Sequence, residues 1–66
     1  MNTIEFQNKS TVIVGRSVST DLKTRILATH EAHALLEKLP KHIKNNPQNS
    51  SEIQTLQKIA NPLHNS

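Results

Sequence analysis

His30-Glu31-Ala32-His33 is the segment whose residue types and spacing come nearest to metal chemistry. Two His three apart share one face of a helix, and imidazole nitrogens are common zinc ligands. A closed zinc site needs two more donors. The remaining candidates are Glu37, His42 and His64, and no spacing fixes their approach. The helical zinc-protease pattern sets its His four apart with Glu beside the first, which this segment does not match. His33 also falls inside the apolar stripe of the surrounding helix. It therefore reads as a half-buried, hydrogen-bonded His, and no metal is expected.

Lys38, Lys41 and Lys44, with His42 among them, cluster where that helix should end. Cations there complement the negative end of the helix dipole by ~0.3–1 kcal/mol. Together with Arg16 and Arg25 they are the candidate nucleic-acid contacts, since phosphate binding needs lysine and arginine. No aromatic residue is interleaved to stack on bases, which argues against single-stranded targets. Catalysis has little support. Gly15 is the only glycine, so no Gly-rich phosphate loop exists. No nucleophile pairs with a specific base, and no cofactor motif is present. The chain reads as a non-enzyme.

These residues need elements to hold them, and core residues are scarce. Among 66 residues, 33% are hydrophobic, with one Phe and no Trp, Tyr or Cys. A chain this short buries only roughly 60% of its unfolded surface. Disulfides cannot help, so association with a partner or with itself is the expected remedy. The formal net charge is +3, and the excess sits in residues 21–44, where five cations face three acids. No apolar run approaches the ~18–20 residues of a membrane span. The first residues, Met1 to Phe6, lack the cationic start and apolar stretch of a secretory signal. The absence of Cys suits a reducing compartment, and a cytoplasmic location is expected.

The expected fold class is α+β: a small N-terminal β-hairpin or strand, then one long and one short helix, in a single domain over 1–66. Residues 3–18 alternate with period two. A three-residue loop at Asn8-Lys9-Ser10 would pair Phe6 with Val12 and Ile4 with Val14 on one apolar face. The period changes at Ser19-Thr20-Asp21. Ser19 or Thr20 can cap a helix, and Asp21 suits its positive end. Residues 21–39 contain no Gly or Pro, so the long helix is placed at 20–39. Its expected core stripe is Leu22, Ile26, Ala28, Ala32, Leu35, Leu36 and Leu39, with Glu31 and Lys38 exposed. Pro40 ends it. Residues 40–49 read as a linker that Ile43 could pin. Asn49-Ser50-Ser51-Glu52 resembles a capping box, opening a short helix over 50–61. Its stripe is Ile53, Leu56, Ile59, Ala60 and Leu63, and 62–66 form a frayed tail.

The segment Thr11–Leu27 resembles the opening of ribbon-helix-helix repressors and antitoxins, on Thr11, Ile13, Arg16, Leu22 and Arg25. That resemblance implies a short strand that pairs with a second chain and enters the DNA major groove, followed by a capped helix. The chain departs from the family in having no Gly-containing turn after the helix, and in placing Ile13 and Gly15 where outward polar residues belong. It is not counted as a member.

Leu27 and Ala34 lie opposite the expected stripe, next to His30. These three are the candidate partner-binding seam. The leading expectation is a small regulatory protein that binds another protein, as inhibitor, adaptor or antitoxin-like partner. The alternative is a dimeric DNA-binding regulator.

Overall fold

Residues 3–17 can satisfy a helical period as well as an alternating one, and the helical period wins. Phe6, Ser10 and Ile13 recur at the spacing of one helix face, and all three are buried. Asn2 caps the helix: its Oδ1 accepts a hydrogen bond from the Glu5 backbone N–H at 2.7 Å. The computed structural model describes residues 1–61 and folds them into four α-helices: α1 (Thr3–Ser17), α2 (Leu22–Glu37), α3 (Lys41–Lys44) and α4 (Ser50–Ala60), with a 3-10 turn (Pro47–Asn49) before α4.

No strand is present among the described residues, so the α+β expectation and its N-terminal hairpin are overturned. The β-branched residues Ile4, Thr11, Val12, Ile13 and Val14 suggested strands, but each costs a helix under ~0.7 kcal/mol. Burial of Phe6 and Ile13 outweighs that cost. Ser10 hides the pattern because it is polar. Its hydroxyl donates to the Phe6 carbonyl at 2.8 Å, which lets it sit 2% exposed in the core. The residues that would have shared the hairpin's apolar face with Phe6 are exposed instead: Val12 is 51%, Val14 37% and Ile4 70% exposed.

Residues 18–21 turn the chain into α2. Asp21 is the N-cap residue, rather than Ser19 or Thr20. Its carboxylate accepts from the Thr24 hydroxyl instead of from a backbone N–H, while Ser19 Oγ accepts from the Asp21 N–H. Arg25 donates to the Ser19 and Thr20 carbonyls at 2.8 and 3.1 Å, holding the turn closed. Helices α1, α2 and α4 pack against one another. Ala28 and Ala32 are fully buried between them, where small side chains let helix backbones approach. The α2 core face is Ala28, Ala32 and Leu35, flanked by half-buried Leu36 and Leu39. Leu22 and Ile26, expected in that stripe, are 60% and 48% exposed. Glu31, expected exposed, is partly buried.

The expected linker is built structure. Ile43 on α3 is fully buried, and the Asn49 side-chain amide donates to the Ile43 carbonyl at 3.1 Å. Asn46 Oδ1 accepts from the Gln48 N–H and starts the 3-10 turn. Since that turn already puts Asn49 in helical geometry, the capping box does not form and no side chain caps α4. Leu63 and the tail expected over 62–66 lie outside the described residues.

Candidate functional site

Four of the exposed large apolar residues, Val14, Val18, Leu22 and Ile26, gather at the α1–α2 turn. Val14 and Val18 from α1 and its cap, Ile26 from α2 and Ile59 from α4 line a groove of about 510 Å³. Val18 is 77%, Ile26 48% and Val14 37% exposed. Helical periodicity places Val14 and Val18 away from the Phe6–Ser10–Ile13 face, so burying that face leaves them outside. Leu22, 60% exposed, lies four residues before Ile26 on α2 and shares its side of the helix.

The polar groups in this groove have one sign. Among the described residues Arg25 and Lys58 line it, and no acidic residue does. Its three hydroxyls point their protons at their own helices: Ser17 donates to the Val14 carbonyl, Thr29 to Arg25 and Thr55 to Ser51. The groove thus offers apolar walls and cationic donors.

A second groove, about 430 Å³, runs between α1 and α2 on another side. Arg16 Nη1 crosses it and donates to both carboxylate oxygens of Glu31. Lys9, Lys38 and Ala34 also line it. Here the polar lining carries its own counter-ion, so the groove is in part closed by an internal pair.

Of the candidate seam, Leu27 is 49% exposed, and His30 and Ala34 are exposed on the same side of α2. His30 and Ala34 share a shallow concavity with His33 and Glu37. The candidate nucleic-acid residues are divided. Arg16 and Lys38 share the second groove, Arg25 lines the first, and Lys41 and Lys44 stand exposed on α3. Arg16 and Arg25 are already engaged, with Glu31 and with the turn carbonyls. The resemblance to a ribbon-helix-helix opening fails on Thr11 and Ile13. Both lie on α1, with Ile13 buried, so no strand exists there to enter a DNA groove.

His33 is exposed rather than half-buried, and its Nδ1 lies 3.3 Å from Glu37. His42 Nε2 lies 2.9 Å from the Met1 carbonyl. Among the described residues no three His, Asp or Glu converge as a metal site would require. No described helix is long and apolar enough to cross a membrane. Compared with protein-family models, curated proteins and solved structures, the chain matches none.

Sequence reasoning missed the first groove because it placed Val14 and Val18 on a hairpin and Ile26 in the core. The signal that finds it is the helical spacing of Phe6, Ser10 and Ile13, which forces both valines outward.

Proposed function

We propose that this chain is a small non-enzymatic protein that acts by binding another protein. One observation carries the reading. Among the described residues eight large hydrophobic residues are exposed, from Met1 at 36% to Val18 at 77%, against eight buried hydrophobic residues. Scattered surface apolar residues are ordinary, but three of these, Val14, Val18 and Ile26, line one open groove, which is a mark of interaction sites. Half of the exposed set, Val14, Val18, Leu22 and Ile26, belongs to the α1–α2 turn and the residues beside it.

The test is cross-linking of the full chain in its native extract, followed by reconstitution with the purified candidate. A binary complex that forms at defined stoichiometry and is lost on substitution of an exposed apolar residue supports the reading. Affinity only for duplex DNA, falling steeply with salt, refutes it.

A further inference from the structure

We infer that the groove formed by Val14, Val18, Ile26 and Ile59 receives an acidic amphipathic helix from a different protein. This rests on the protein-binding reading above and names the surface and the chemistry of the partner. The geometry is that of a helix laid into a groove between helices, its apolar stripe against the walls. The rim fixes the sign of the partner. Arg25 and Lys58 stand at the groove, no acid among the described residues lines it, and its hydroxyl protons are directed to backbone carbonyls. An apolar stripe flanked by Glu or Asp complements that surface, and one flanked by Lys or Arg is repelled.

A second copy of the chain does not supply this complement. The sequence has five acids. Glu5 pairs with Lys9 and Glu31 with Arg16, Glu37 lies 3.3 Å from the His33 ring, and none of the three lines the groove. Asp21 accepts from Thr24, and Glu52, in the first turn of α4, is partly buried. Placing two copies groove to groove would bring four cations together. A flat anionic membrane fits less well, because the apolar walls come from three helices, α1, α2 and α4, rather than from one amphipathic helix face.

The test uses the full chain and two labelled helical peptides of about five turns. Both carry Leu at i, i+3, i+4 and i+7. One flanks that stripe with Glu, the other with Lys. Fluorescence anisotropy should show the Glu peptide bound about tenfold or more tighter, with the difference shrinking as salt rises. Lys58→Glu should weaken the Glu peptide about tenfold and strengthen the Lys peptide, a reversal that loss of folding cannot produce. Val18→Asp should weaken the Glu peptide while circular dichroism keeps its helix signal. Equal affinity for both peptides, or no binding to either, overturns the inference. So does a Val18→Asp-sensitive dimer in sedimentation, binding to phosphatidylglycerol vesicles in place of peptide, or nuclear Overhauser contacts from residues 62–66 into the groove. If a reconstituted partner ignores Val18→Asp and Lys58→Glu but is released by Leu27→Asp, the groove assignment fails and the protein-binding reading stands. If the extract yields no partner, the reading itself fails.

Discussion

At one end of the bundle Phe6, Ile43 and Asn49 are fully buried, and at the other Val18 and Leu22 are 77% and 60% exposed. Both ends are entered by the same two helices, α1 and α2. The difference is what lies across them. At the Phe6 end the chain leaves α2 through Pro40 and crosses as α3 and the 3-10 turn. That crossing is held by the Asn49–Ile43 hydrogen bond and by the contact between His42 and the Met1 carbonyl. At the opposite end residues 18–21 connect the helices, and among the described residues this short turn leaves the side chains around it uncovered. An apolar residue on a short helix is thus core or surface according to whether a third segment reaches it.

The largest expected effect breaks the closed end. Phe6→Ala should cost about 3–5 kcal/mol. In a chain this small that should abolish the cooperative urea transition followed by circular dichroism. Ile43→Ala should cost about 2–5 kcal/mol in the same measurement. A smaller loss there would mean that α3 is not what closes this end. At the open end, Ile26→Ala should cost under about 1 kcal/mol, because roughly half of the side chain is already in water. A loss matching that of Phe6→Ala would erase the contrast between the ends. Arg16→Ala should cost about 0.2–1 kcal/mol and less in high salt, since both partners keep a third or more of their side-chain exposure. Val18→Asp should change folding stability by no more than about 0.5 kcal/mol.

The same contrast explains what was legible in the sequence. Helix α2 falls within the expected 20–39 because residues 21–39 lack Gly and Pro, and α4 within the expected 50–61 because its apolar residues make a single stripe. Helix α1 was not legible. Its β-branched residues imitate alternation, and the residue that completes its buried face is a serine whose polarity is cancelled by a bond to the chain's own backbone. Ile26 was misplaced because α2 is apolar over half its circumference, and only the positions of α1 and α4 decide which part is covered. Exposure of Leu27, His30 and Ala34 follows from their place on α2. The spacing of Phe6, Ser10 and Ile13 is enough to turn Val14 and Val18 outward, but the groove as a whole could not be read locally, since its walls come from three helices.

Phe6 is the only Phe, Tyr or Trp ring in the chain, and it is buried completely. A ring in a close-packed interior flips only when its surroundings open. Its flip rate in nuclear magnetic resonance is therefore a gauge of how often the closed end breathes, with no second Phe or Tyr ring to confuse the signal. Because Phe6 and Val14 sit on the same α1 helix, that gauge also reports at a distance. If a ligand seated at the open end slows the flips, α1 transmits rigidity along its length. If the rate is unchanged, the two ends are mechanically independent.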